Sequence, residues 1–492
     1  MRFTVTLLLL LIAVASASAQ EAAPLLPSTH WAHDVLRRLH ATGLLPPPFD
    51  AASSTRTAAT ARAQLEFAAL RADSSDANAA QRIRGYIALL DGEYGMGRPV
   101  AYLRAGVEGR QDYALAGSGF VLEDDWRGAQ LVDDQHTFAA AGRIAAHASR
   151  HLAGELVVQG NTEGQFVFDN THAVLTGMGV GLWAGRRATR FGPGTSGVVL
   201  SSEVPFTGVG FFLPRPVRVP GLSMLSGPIS LETFLSRMQQ NGSIENPWFW
   251  NARLTIQPIR QFTIGINRAA IFGGDNNGMS LENVLKMFVG IKPGVTRPDG
   301  GSAGEFDNQI VSVDGRFIIP NDLLPVEAYL EWGADDSSGA WHRVPGIVAG
   351  LRAVLPGGQA SFGYETTRFD TRRYDLHRFS SQPPWYRNAF FRDGWTRNGE
   401  PMGHPLGGHG REHAVDARVD LLEGRARLGL RPFRRDREEE NLYAPGREGV
   451  TWGFNLDTRY RLGRGEARLA GTVEAGDGWR QSALDLSLTA YF

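Results

Sequence analysis

The chain contains no cysteine. Disulfides, thiolate metal centres and cysteine nucleophiles are therefore excluded. Lysine is nearly absent: Lys286 and Lys292 are the only two, so arginine carries almost all the positive charge. Charge of one sign is also missing, with 50 basic and 51 acidic residues giving a net charge of −1. No global field draws this protein to nucleic acid. Beyond the N-terminus, no stretch reaches the roughly 18 consecutive apolar residues of a transmembrane helix. A nucleotide loop is incomplete as well. "GRRATRFGPGTSGVVLSS" spaces Gly192 and Gly197 as a P-loop does, but Val198 and Val199 follow instead of lysine and a hydroxyl.

What is present begins with an export signal. Met1-Arg2 precede an almost wholly apolar run from Val5 to Val14, and Ala17-x-Ala19 offers a small-residue cleavage site. This pattern predicts a signal peptide over residues 1–19, with the mature chain starting at Gln20. The run is too short to span a bilayer comfortably. Residues 20–97 read as a helical segment. "STHWAHDVLRRLHATGLLPPP" opens on a Ser/Thr cap and sets Trp31, Val35, Leu36 and Leu39 on one face, before Gly43 and the prolines end it. "TAATARAQLEFAALRA" and "DANAAQRIRGYIALLDG" predict two more helices, the last capped by Asp76.

From about residue 98 to 492 the period becomes two. "VSVDGRF" sets Val311, Val313 and Phe317 against Ser312, Asp314 and Arg316. "VEAYLEWG" sets Val326, Ala328, Leu330 and Trp332 against Glu327, Tyr329 and Glu331. "DARVDL", "GRARLGLR" and "FNLDTRYR" alternate the same way, and about sixteen to eighteen such segments approach the ten-residue length of a tilted barrel strand. A soluble sandwich would bury the apolar face, whereas an outer-membrane barrel turns it to lipid. The C-terminus decides. "ALDLSLTAYF" alternates to an aromatic last residue, Phe492, which looks like the signal read by the bacterial barrel-insertion machinery. The expected fold is an all-β transmembrane outer-membrane barrel with a small N-terminal helical bundle. Its charged lumen would either solvate the wall or bind a ligand rich in hydroxyls and carboxylates. Arginine's planar fork suits sugar acids, and aromatic faces suit sugar rings.

"RRATRFGPGTSGVVLSSEVPF" and "PGLSMLSGPISLETFLSRM" resemble the capsule assembly Wzi family of outer-membrane proteins, with Trp183, Gly192, Pro193, Gly194, Leu200, Ser201 and Arg237 at its pattern positions. "NPWFWNARLTIQPIRQFTIGINRAAIFGGDN" and "VEAYLEWGADD" resemble two further stretches. "WYRNAFFRDGWTRNGEPMGHPLGGHG" is similar to the family's most recognisable loop through Gly394, Trp395, Thr396, Gly399, Gly403 and His404, with Trp395 replacing the usual tyrosine. The resemblance covers most of residues 28–492. It implies a barrel of about eighteen strands, a helical bundle on the periplasmic side, and a lectin-like role in holding capsular polysaccharide at the cell surface. It does not imply hydrolysis.

The residues expected to touch polysaccharide are Arg186, Arg187, Arg190, Trp395, His404, Arg425, Arg427 and Arg459. No catalytic residue, cofactor or metal is expected. His404, His409 and His413 cluster in sequence, but in a glycine-rich loop without fixed ligand geometry. Glu327 and Glu331 sit about 13 Å apart on a strand, beyond the spacing of glycosidase carboxylates, and Asp335-Asp336 read as a solvated strand end. "FGGDNNG" reads as a hairpin loop rather than a calcium site. The expected partners are capsular or extracellular polysaccharide, outer-membrane lipid and the insertion machinery, in the cell outer membrane. The rival expectation is a carbohydrate-selective or general solute porin, because "HWAHDVLRRLHATGLL" with "RAQLEFAAL" also resembles one degraded S-layer-homology repeat, which would tether the helices to the cell wall.

Overall fold

The computed structural model describes residues 22–492 except 96–99, 114–135, 163, 165, 201–203, 240–241, 276, 278–279, 289–293, 296–303, 336–344, 370–384, 389, 398–399, 439–440 and 444–446. The expected signal peptide, Ser201, Asp336 and part of the FGGDNNG turn lie outside the described residues. Among the described residues, eighteen strands form the wall: β1 Val100–Tyr113, β2 His136–His147, β3 Leu152–Asn161, β4 His172–Gly177, β5 Val180–Arg187, β6 Phe206–Phe212, β7 Ile229–Arg237, β8 Trp248–Ile259, β9 Phe262–Phe272, β10 Asp307–Ile319, β11 Val326–Asp335, β12 Gly346–Val354, β13 Ala360–Arg368, β14 Gly410–Leu421, β15 Ala426–Arg437, β16 Gly449–Leu462, β17 Gly465–Gly476 and β18 Trp479–Tyr491, with a two-residue strand, Phe166–Val167, added beside β3. Each pairs antiparallel with its neighbours, and β1 pairs with β18 from Tyr102↔Tyr491 to Tyr113↔Arg480, which closes the ring. Closure leaves no sheet edge with unpaired amides in lipid.

The period-two pattern sorts the side chains as expected. Leu484, Leu486 and Leu488 are exposed on the outside of β18, while Asp485, Ser487 and Thr489 are buried on the inside. On β10, Val311, Val313 and Phe317 face out, and Ser312, Asp314 and Arg316 face in. Alternate strand connections are mostly short at one end of the barrel, as at 260–261 and 463–464, with 213–228 the exception among the described residues, and mostly long at the other, as at 188–205 and 369–409. The chain ends at the short-turn end, beside Ala101.

Three helices, α1 Trp31–Ala41, α2 Ala58–Ala72 and α3 Ala77–Tyr94, pack around Val35, Leu36, Leu39, Leu65, Ile83 and Leu90. Thr57 and Asp76 cap α2 and α3 through their side chains. The cap of α1 differs from expectation: His30, rather than Ser28 or Thr29, accepts from the Ala32 amide. The bundle sits against the short-turn end of the barrel. Gly85 of α3 lies so close to the β14–β15 turn that a Cβ there would stand 2.2 Å from the Glu423 carbonyl oxygen.

The outward face generates a direct test. Leu486→Arg places a charge near the middle of β18 in the apolar band. It is expected to cost about 2–4 kcal/mol in urea-dependent folding into lipid vesicles. A neutral effect would put this face away from lipid.

Candidate functional site in the barrel interior

The interior of the barrel is charged, and the helices supply part of its neutralisation. Arg37 Nε of α1 donates to Glu327 Oε1 of β11 at 2.7 Å, and Arg316 of β10 donates to Glu327 Oε2 at 2.8 Å. The Arg37 guanidinium also lies 5.0 Å from the Tyr329 ring centroid. Arg38 pairs with Asp420, which also accepts from the Tyr86 hydroxyl at 2.7 Å. Asp34 meets Arg352 of β12. Between α1 and α2, Asp50 receives Arg253 Nε at 2.8 Å and the Thr255 hydroxyl at 2.7 Å. Glu93, in the last turn of α3, receives Arg461 at 2.8 Å. Burial alone would raise the Asp50 carboxyl, but the Arg253 charge and hydrogen bonds outweigh it and hold it at about 2. Glu93 is also held at about 2: burial is overcome by the His30 hydrogen bond and charge, and then by Arg461.

Two long-end loops fold into the barrel and fill its other side. In the 188–205 loop, the Thr195 and Ser196 amides donate to the two Glu365 carboxylate oxygens at 2.6 and 2.7 Å, and the Tyr329 hydroxyl donates at 2.7 Å. The glycine-rich stretch therefore does cradle an anion, but it is the protein's own carboxylate. Glycine is required there: Gly192 has φ +142°, and a Cβ on Gly194 would stand 1.9 Å from the Gly197 carbonyl oxygen. The 385–409 loop docks on this one. The Tyr386 hydroxyl donates to the Val199 carbonyl at 2.8 Å, and Trp395 Nε1 donates to the Leu200 carbonyl at 2.8 Å. These loops share a core with Phe249, Phe369 and Tyr443.

The eight sequence-derived residues separate in space. Arg190, Arg427 and Arg459 line one interior cavity. The other five do not. Arg186 and Arg187 are adjacent on β5, so they point to opposite faces. Arg186 pairs with Asp169, and Arg187 donates to the Leu26 carbonyl at 3.1 Å beside Trp183. Arg425 lies exposed in the β14–β15 turn, apart from the cavity, its Nε donating to the Leu422 carbonyl. Trp395 is a correction, because it is fully buried and offers no face to a sugar. His404 is a second. It is equally buried, accepts from the Leu406 amide, and contacts Thr367 Oγ1 at 3.1 Å. Burial drives its pKa down to about 3, so it is neutral and structural.

The cavity measures about 280 Å³ and lies between α1, the 190–195 segment and strands β14–β18. Among the described residues, twelve arginines and five carboxylates line it. Arg427 stacks over Trp31 at 3.9 Å, tying the wall to α1. Sequence alternation on β14–β16 pointed to several of these arginines. It missed Arg447 in the loop before β16 and Arg468 on β17.

Metal ligation finds little support in the donor chemistry. Glu365, His404 and Glu412 bring ligand atoms within 4.8 Å of one another. Glu365 is already engaged by loop amides, and Glu412 by Arg435 at 2.5 Å. His413 instead bonds the Tyr364 hydroxyl at 2.7 Å.

The family model for capsule assembly protein Wzi matches residues 120–481. Among solved structures, the fold is similar to that of Wzi from Escherichia coli, described as an outer-membrane protein involved in group 1 capsule assembly and as a carbohydrate-binding β-barrel. The two share 17% identity at a TM-score of 0.68, over 94% of this chain and 97% of that one. Pseudomonas aeruginosa OccK3 (OpdO) matches at 10% identity and a TM-score of 0.46, covering 80% of this chain and 95% of its own. OccD3 (OpdP) of the same organism matches at 9% and 0.45, covering 80% and 91%. No curated protein matches the chain in sequence.

The Asp50–Arg253 contact predicts a pH dependence for bundle docking. The folded carboxyl lies below its ordinary value of 3.8. Its contribution, on the order of 2 kcal/mol, is complete above about pH 4 and is lost as the pH falls towards 2. Because the chain has no native thiol, a cysteine placed at exposed Leu70 can carry a single spin label. Its mobility should rise on acidification below about pH 4. Asp50→Asn should loosen the label at neutral pH and flatten the profile. A spectrum unchanged down to pH 2.5 would exclude this contact as a determinant of docking.

Proposed function

The chain belongs to the Wzi family of capsule assembly proteins, and from that premise we propose that it holds capsular or extracellular polysaccharide at the bacterial surface, as a lectin-like barrel in the outer membrane. The helical bundle then faces the periplasm and the long loops face outward, the arrangement of short and long connections usual for outer-membrane barrels. The C-terminal strand, ending at Phe492, is read by the insertion machinery after a signal peptide has directed export. The protein is not an enzyme in this reading.

The filled lumen carries the proposal. Arg37 and Arg38 bridge the bundle to β11 and β14, and the 188–205 and 385–409 loops occupy the region beside β11–β13. A conduit needs a continuous water path, whereas an anchor needs a rigid frame presenting loops and a polar interior. The obstruction disfavours the porin reading.

Two measurements test this. In planar bilayers the intact protein is expected to pass little steady current, and large stable conductance steps would favour a porin. Deleting the gene should release polysaccharide from the cell surface into the medium, and expression of the full chain should restore retention. Unchanged retention after deletion would overturn the proposed role.

A further inference from the structure

One connection at the short-turn end breaks the pattern of its neighbours. The others described there run from two to six residues, whereas 213–228 joins β6 to β7 through sixteen. Its apolar residues do not join the helical bundle. Leu213, Val217, Val219 and Ile229 form a separate cluster with Val180, Phe211, Leu231 and Ile256. Alternation puts that second group on the outside of β5–β8. Leu182, Val209 and Leu254 share those faces and are exposed, while Trp183, Glu232 and Phe234 on the opposite faces are buried. The connection therefore folds over the lipid-facing side of the wall. It covers Ile229, which the period would otherwise leave open.

The shape of this segment is fixed. Val217 and Ile229 exchange backbone hydrogen bonds at 2.8 Å, and the Leu213 amide donates to the Leu231 carbonyl at 2.9 Å. The Ser223 hydroxyl accepts from the Val219 amide at 2.7 Å. Gly227 has φ +67°, and a Cβ there would stand 1.8 Å from the Gln257 carbonyl oxygen, so the turn is seated on the end of β8. Pro214, Pro216, Pro220 and Pro228 restrict the backbone further. Yet Met224 and Leu225 are 88% and 84% exposed, with Leu222 open beside them. Residues 213–228 include Arg215 and Arg218 and no acidic residue, and Arg218 is exposed.

We infer that this connection is an interfacial anchor. Leu222, Met224 and Leu225 enter the acyl-chain boundary of the leaflet at the bundle end of the barrel, and Arg218 meets the phosphates of anionic phospholipid there. The occupant follows from position. The underside of the segment rests on the wall's lipid-facing surface, so its exposed side continues that surface outward, where a membrane barrel has lipid for a neighbour. Leucine and methionine with a cationic flank suit the boundary between headgroups and acyl chains, and a guanidinium matches the geometry of phosphate. Interfacial anchors of this kind set tilt in the bilayer. The inference rests on the lipid-facing wall and is independent of the polysaccharide role.

The full chain, with a nitroxide at Leu225→Cys, is folded into vesicles of phosphatidylethanolamine and phosphatidylglycerol. Its collisions with oxygen, which concentrates in lipid, are compared with those of a water-soluble nickel chelate. Leu486→Cys on β18 and Leu70→Cys on α2, both exposed positions, supply the lipid and water references. The oxygen-to-nickel ratio at Leu225 is expected to exceed that at Leu70 roughly threefold or more. A ratio equal to that at Leu70 overturns the anchor. A label at Leu222→Cys should lose the same excess when Met224→Asp and Leu225→Asp are introduced together. An unheated electrophoretic mobility like that of the wild type establishes that the variant is folded, and a ratio unmoved by the two aspartates overturns the anchor. Arg218→Glu should raise nickel collisions at Leu225 about twofold in these vesicles and less in phosphatidylcholine alone; an equal response in both overturns the phosphate contact. Dipolar broadening between Leu225 labels, relieved by adding unlabelled protein, would put a second copy on the patch and overturn the lipid assignment. No glycan is present, so failure here leaves the retention role standing.

Discussion

Everything in this barrel follows from one constraint: a wall that meets lipid must turn its charges inward, where they must find one another. Glu327 shows the consequence. It is fully buried between Arg37 of the bundle and Arg316 of the wall. Removing one member of such a group leaves an unpaired buried charge, at a cost of about 3–5 kcal/mol. The bundle is therefore more than a neighbour of the barrel. It completes the electrostatics of β10–β14, and its position follows from where the inward carboxylates and arginines lie.

The inward loops obey the same rule by a different route. Glu365 could have been neutralised by an arginine. Instead, two backbone amides and a tyrosine hydroxyl surround it, in a glycine-rich turn that only glycine can make. Backbone amides so placed act as fixed partial positive charges. The Gly-Pro-Gly-Thr-Ser-Gly stretch thus combines tight geometry with anion binding, and it serves folding. The loop that docks on it, through Tyr386 and Trp395, extends the same packed core. Both stretches that resembled the family most clearly are parts of this interior.

The wall was legible from sequence because its signal is local. Alternation on "VEAYLEWG" or "ALDLSLTAYF" needs no knowledge of distant residues, and the structure sorts these side chains as the period requires. The candidate site was legible only in part. Arg190, Arg427 and Arg459 come together, whereas Trp395 and His404 disappear into a core. Nothing local distinguishes a loop that reaches into solvent from one that folds back into a lumen; that outcome depends on Val199 and Leu200, nearly two hundred residues earlier in the chain. Arg425 stands apart from the lumen-facing series for a smaller reason. Its alternation with Arg427 continues on paper, but Leu422, Glu423 and Gly424 adopt positive φ and turn the chain before the lumen-facing series begins.

The scarcity of lysine acquires a physical meaning in this setting. A lysine ammonium, when buried, sheds its proton readily and bonds as a point charge, whereas guanidinium keeps its charge and bonds in a plane. Arg253 shows the advantage by gripping Asp50 and Asp314 together, with no exposed surface of its own. Arg435 and Arg437 share Glu474 in the same manner. Where every member of such a network is satisfied, the shared ion pairs specify one arrangement of the interior.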